Sequence, residues 1–213
     1  MKMPKQGKDK SGRAWQRMLS GRRLDLLDPS PLDIEIEDIA HGLSRVARWN
    51  GQTTGAWPFS VAQHSLLVLA FYDHLQPRAE QRWRLAALLH DAAEYVVGDL
   101  ISPFKAAVGT DYKALEQRLD RASRLRFGIP ALLPSAVARD IKRADRASAY
   151  FEAVSVAGFD VAEAGRIFER PRLMAAPEIR QMSPSRAKRA FLERFRVLAS
   201  GATPAYIEPS KSI

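Results

Sequence analysis

Cysteine is absent from the 213-residue chain. That excludes a disulfide framework and any thiolate metal site, and it fits a reducing compartment. Long apolar runs are missing too. The longest, such as Leu66 to Tyr72, fall far short of the roughly 20 residues a helix needs to span a bilayer. The basic start, Met1 to Lys10, is followed by no apolar segment, so it does not read as a signal peptide. The expectation is a cytoplasmic protein with no membrane partner. Aromatic residues make up 8% of the chain, without the aromatic-rich strand pattern that an RNA-binding sheet requires. No internal repeat is visible, and low complexity is confined to the termini.

Negative charge is also in short supply: 24 Asp and Glu against 33 Lys and Arg give a formal net charge of +9. Such a balance suits nucleic acid or a small anionic substrate. The Arg residues are scattered through nearly every segment, with denser clusters at residues 1–23 and Arg186 to Arg196. Most of this charge therefore reads as solvated surface, and nucleic acid is the less favoured partner. What is present is an ordinary composition for a folded domain, 46% hydrophobic and 27% charged. The length suits one sizeable core.

Helical periodicity dominates the chain and predicts an all-α domain of six or seven helices over residues 11–200. Residues 1–10 read as a disordered basic tail and 201–213 as a loose one. A short helix is predicted over Ser11 to Leu19. Arg22 to Leu27 and Leu32 to Ile36 read as extended pieces about the turn Asp28-Pro29-Ser30-Pro31, a possible short hairpin. Helices follow over Asp38 to Trp49, over the segment capped by Ser60 to about His74, and over Glu80 to about Val96. Two more cover Asp111 to Phe127, stopped by Gly128, and Pro134 to Ala157, closed by Gly158. Residues 159–182 predict a short helix and a loop. A last helix follows Ser183-Pro184, with Ser183 as its cap.

The chemistry concentrates in Leu85-Ala86-Ala87-Leu88-Leu89-His90-Asp91-Ala92-Ala93-Glu94. A helix apolar almost all round must be buried. Burying His90, Asp91 and Glu94 at its end needs a charged partner or a metal ion. His64 shares a helical face with Leu67, Val68 and Phe71 and so points inward. Asp145 borders the buried side of the helix after Pro134. Two imidazoles and two carboxylates form a mixed N/O set suited to one divalent ion (Mn, Co, Fe, Ni, Zn or Mg). Each residue has a plainer reading. His64 could be a core histidine, Asp91 an Arg partner, Asp145 a surface ion pair, and Glu94 a brace rather than an acid or base. Arg48 and Trp49 could be the charged end and core plug of a helix. His41 and His74 have no matching partners and read as surface or supporting residues.

With His64, His90-Asp91 and Asp145 in the order H…HD…D, the chain resembles the HD-domain metal-dependent phosphohydrolases. Arg48-Trp49, His64-Ser65, His90-Asp91-Ala92-Ala93-Glu94, Gly98-Asp99-Leu100, Pro103, Lys105 and Ala144-Asp145 together resemble the layout of the bacterial 5′-deoxynucleotidases. The likeness spans roughly residues 38–157, and the loop Asn50 to Phe59 departs from it. The resemblance implies a homodimer with His64, His90, Asp91 and Asp145 as metal ligands and Glu94 as the catalytic carboxylate. It implies Arg48 as the phosphate-binding cation, Trp49 beside the sugar, Asp99 in sugar binding or proton transfer, and Lys105 as a second cation. The implied reaction is hydrolysis of the 5′-phosphate of (deoxy)nucleoside monophosphates. Alarmone hydrolases with HD domains usually carry Glu-Asp where Glu94-Tyr95 stands here. Triphosphohydrolases usually show a Gly- and His-rich continuation that Ala92-Ala93-Glu94 lacks. A regulatory or nucleic-acid-binding module stapled by its metal is the non-enzymatic alternative.

Overall fold

Most of the chain is helical. The computed structural model describes residues 14–100, 110–168, 170–171 and 177–201. Residues 1–10, Lys105 and the tail beyond 201 lie outside the described residues. Those described form eight α-helices and one two-stranded hairpin, an all-α fold around a continuous apolar core.

The N-terminal segment is the first departure from expectation. Trp15–Arg17 is strand β1, not helix, and pairs antiparallel with β2 (Arg23–Asp25), Gln16 opposite Leu24. Buried Leu24 and Met18 anchor the hairpin, while Leu19 is 72% exposed. A pairing partner a few residues away decides the state here, and helical spacing does not. Beyond the hairpin, the predicted strand at Ile34 and Ile36 is also absent. Pro31–Asp33 is a 3-10 turn capped by Ser30, and α1 (Ile36–Leu43) starts immediately after extended Ile34 and Glu35. Two extended residues with no neighbouring strand do not make a sheet.

Helix α1 ends at Leu43, short of the predicted Trp49. The chain then turns so that the Arg48 amide donates to the Phe59 carbonyl and the Val61 amide to the Val46 carbonyl. Those two bonds bring Arg48 beside the start of α2 (Val61–Leu75). The Ser60 hydroxyl accepts from the Gln63 amide, the cap expected for α2.

The Leu/Ala run does not form one continuous helix. Helix α3 (Gln81–Leu88) stops, Leu89 leaves helical geometry at φ −99°, ψ 15°, and α4 (Glu94–Val97) restarts. Between them the amides of Ala92 and Glu94 bond back three residues rather than four, so the backbone stays satisfied while the chain turns. This break raises the helix count to eight. Gly98 ends α4 at φ 78°, ψ 162°, a conformation essentially confined to glycine, and so redirects the chain into Asp99.

The remaining elements fall close to expectation: α5 (Thr110–Arg126), α6 (Ser135–Ser155), α7 (Val161–Phe168) and α8 (Pro184–Ala199). The Ser183 hydroxyl caps α8, with Pro184 in its first turn. Leu125 of α5 is 54% exposed. Helix α2 packs on α6, α3 and α8, and α1 packs on α4 and α8. The start of α2, the end of α3 and the middle of α6 thereby come together. No described helix is long and apolar enough to cross a membrane.

Candidate metal centre

His64 sits in the first turn of α2 and is fully buried. Its Nδ1 lies 2.6 Å from Oε1 of Glu152, which is buried on α6 and accepts a second bond from the Ser148 hydroxyl at 2.7 Å. A carboxylate oxygen accepts only, so His64 Nδ1 carries the proton, and in the neutral ring Nε2 presents a lone pair. His90 repeats the arrangement. Its Nδ1 donates to the Ala87 carbonyl at 3.0 Å, a group available because the helix ends there. Its Nε2 is then the lone-pair nitrogen.

Both Nε2 atoms are buried and form no hydrogen bond. They nonetheless face carboxylate oxygens. His64 Nε2 is 3.3 Å from Asp91 Oδ2 and 3.3 Å from Asp145 Oδ1, and His90 Nε2 is 3.1 Å from Asp91 Oδ2. Donor atoms of His64, His90 and Asp145 all lie within 4.8 Å of one another. Acceptors crowded together in a buried place repel unless a cation or a proton lies between them. The group can hold a metal ion, and its chemistry of two imidazole nitrogens and carboxylate oxygens fits a divalent one.

Burial and Arg48 push the His64 imidazole down, but Glu152, Asp145 and Asp91 outweigh them and hold it well above its ordinary value. Burial pushes the Asp91 carboxyl up, but His90 and His64 hold it well below the usual carboxylate range. Asp145 is likewise raised by burial and lowered further by His64 and His90. For Glu152, burial is outweighed by His64 and Arg48, which bring it down to about 2. On its outer side Asp145 also meets Lys142, Nζ to Oδ2 at 2.6 Å.

Arg48 and Trp49 flank the centre from the 3-10 turn Arg48–Gly51. Arg48 Nη1 donates to Asp99 Oδ2 at 3.1 Å and Nε to Glu152 Oε2 at 3.4 Å. Glu152 and Asp99 hold the guanidinium charged against the cost of burial, which is the largest influence on it. The Trp49 indole Nε1 donates to the same Glu152 Oε2 at 3.1 Å. Its ring packs against Phe159 and Phe168, with centroids 5.6 and 5.4 Å away. Trp49 and Asn50 both have left-handed backbones, φ 57° and 50°, which is uncommon for a residue as bulky as tryptophan. The hydrogen bond and the aromatic packing oppose that strain.

Glu94 is buried at the head of α4, five residues before Asp99. His41 is partly exposed and His74 exposed, as expected for residues outside the site. Glu152 is the residue that sequence reasoning missed. It follows Asp145 by seven positions and Ser148 by four, two turns along one face of α6. That spacing was a readable signal that the helix presents more than one polar group to the site.

No established family profile matches the chain. The chain is 59% identical over 188 residues to the uncharacterized protein RCAP_rcc00048 of Rhodobacter capsulatus, an alignment covering 87% of this chain and 96% of that protein. It is 35% identical over 105 residues to the uncharacterized protein YfdR of Escherichia coli, covering 49% of this chain and 53% of that protein. Neither name states an activity.

Proposed function

We propose that this chain, which belongs to the family of the Rhodobacter capsulatus protein RCAP_rcc00048, is a metal-dependent phosphohydrolase of the HD-domain kind. Its proposed substrates are (deoxy)nucleoside monophosphates, from which it removes the 5′-phosphate. The observation that supports this most is the pair of buried Nε2 atoms, on His64 and His90, facing the carboxylates of Asp91 and Asp145 without a hydrogen bond. His64, His90, Asp91 and Asp145 would hold one divalent ion, chosen among Mn, Co, Fe, Ni, Zn and Mg. Such an ion supplies Lewis acidity and makes water available as a nucleophile near neutral pH.

The protein groups do the rest. Arg48 binds the phosphate, and Asp99 and Glu152 orient its guanidinium by holding two different nitrogens. These carboxylates also offset its charge, so Arg48 attracts a phosphate dianion poorly by itself and best beside a loaded cation site. Glu94, at the head of α4, orients the attacking water and takes its proton. The water oxygen forms its bond to phosphorus as the bond to the 5′ oxygen breaks, and that oxygen leaves with a proton from solvent. Trp49 is a rigid wall beside the sugar, crowding a 2′-hydroxyl.

The test is a phosphate-release screen over nucleoside mono-, di- and triphosphates with several divalent metals, run beside Glu94→Ala. Release from dAMP, dGMP or dTMP with Mn or Co is expected. Glu94→Ala is expected to keep the metal and to lose turnover by roughly 10²–10⁴-fold. Turnover confined to triphosphates or alarmones would move the substrate class. No release from any nucleotide, together with a salt-sensitive gel shift, would replace the enzyme by a metal-stapled nucleic-acid module. Equal turnover in metal-replete Glu94→Ala would remove the role given to Glu94.

A further inference from the structure

One buried carboxylate touches both halves of the site. Glu152 Oε1 accepts from His64 Nδ1 at 2.6 Å, and Glu152 Oε2 accepts from Trp49 Nε1 at 3.1 Å and Arg48 Nε at 3.4 Å. The side chain is fully buried, with Ser148 fixing Oε1 from the same helix. A fully buried carboxylate with four donors has no freedom to follow one partner without disturbing the other.

We propose that Glu152 is a positioning residue for both halves at once: it holds His64 for the cation and sets the charge that Arg48 shows to the anion. The inference rests on the metal-site reading above. The two effects have opposite sign. Toward the cation, a carboxylate behind a ligating imidazole fixes the ring and makes its other nitrogen a better donor, and its own charge attracts the ion. Toward the anion, the same negative charge beside Arg48 cancels part of the guanidinium's pull. Asp99 still holds Arg48 Nη1 if Glu152 is neutralised, so the guanidinium keeps one of its two anchors.

Glu152→Gln separates these effects, because it removes the charge and keeps the shape. Binding is measured calorimetrically on the full chain, with Mn²⁺ alone and then with inorganic phosphate alone on metal-free protein. The expected result is Mn²⁺ binding weakened about 10–100-fold and phosphate binding tightened at least about threefold. A residue that merely holds the fold together would weaken both. Glu152→Asp keeps the charge and shortens the reach. It is expected to weaken Mn²⁺ binding and leave phosphate binding within about twofold of the parent, and it carries the test if Glu152→Gln does not fold. Unchanged Mn²⁺ affinity in either variant, or parallel weakening of both ligands in Glu152→Gln, would overturn the proposal. Failure of the parent protein itself to bind Mn²⁺ would overturn the metal-site reading as well. Neither measurement depends on turnover, so loss of the hydrolase reading alone leaves this one standing.

Discussion

Gly42 offers the sharpest test of how α1 and α4 meet. A Cβ at this position would lie 2.7 Å from the Cβ of Tyr95 and 3.0 Å from both its Cα and its carbonyl oxygen. Two of these atoms are backbone and the third is bonded to it, so none can swing away by a rotamer change. Gly42→Ala must therefore push α4, which begins one residue earlier with Glu94. On an open helix face the same change would stabilise by about 1 kcal/mol. Overpacking a filled contact costs about 1–3 kcal/mol, and a rigid backbone contact belongs at the upper end. The net expectation is a loss of about 1–2 kcal/mol. Gly165 of α7 is the internal control, since the nearest atom to a Cβ there is Arg170 Cβ at 4.0 Å. Gly165→Ala is expected to stabilise by about 0.5–1 kcal/mol. Urea denaturation followed by circular dichroism reads both. With a slope of about 2–3 kcal/mol/M, the Gly42→Ala midpoint should fall by roughly 0.3–1 M and the Gly165→Ala midpoint should rise. A Gly42→Ala protein as stable as its parent at unchanged slope would refute the packing of α1 on α4 and, with it, the placement of Glu94.

Two further outcomes are expected. Asp73 on α2 receives Arg84 Nε at 3.3 Å from α3 and Arg194 Nη2 at 3.3 Å from α8. Asp73→Ala removes the acid shared by Arg84 and Arg194, so a loss of about 1 kcal/mol is expected in the same urea assay; an unchanged midpoint would show these contacts to be incidental. Asp120 on α5 is pushed up to about 7, first by burial and further by Asp91 and Glu116, against Arg124 and His90. Its folded value lies above its unfolded one, so metal-free protein should lose stability as pH rises from about 4 to 7 through this group. Asp120→Asn should remove that part of the slope; an identical stability–pH curve for the variant would contradict the shift.

Strong periodicity carried most of the fold. Helices α2, α5, α6 and α8 could be read from apolar spacing, from Ser60 and Ser183 as caps, and from the proline at the start of α8, because those signals are local. The misreadings came where a distant contact or a turn decides. Trp15 is in a strand because Asp25 lies opposite it. The Leu/Ala run breaks at Leu89 although its composition favours helix throughout. That break has a consequence for the site. His90 and Asp91, about 100° apart on an unbroken helix, both reach the imidazole of His64 across the turn. His64, His90 and Asp91 were legible as polar groups among apolar neighbours and Asp145 only as an acid bordering the buried side of its helix; the four side chains lie close together. The spacing of Glu152 from Asp145 and Ser148 places it on their face of the helix, but its pairing with a histidine 88 residues away has no local mark. The pairing of Arg48 with Asp99 was hidden for the same reason, as it joins two turns 51 residues apart.

The most direct test of the central claim is an anomalous difference map from crystals of the protein soaked in Mn²⁺. One peak is expected within about 2.0–2.3 Å of His64 Nε2, His90 Nε2 and an Asp145 oxygen, with Asp91 at its edge or in contact. A map with no peak there, and His64 hydrogen-bonded directly to Asp91 or Asp145 in its place, would contradict the account.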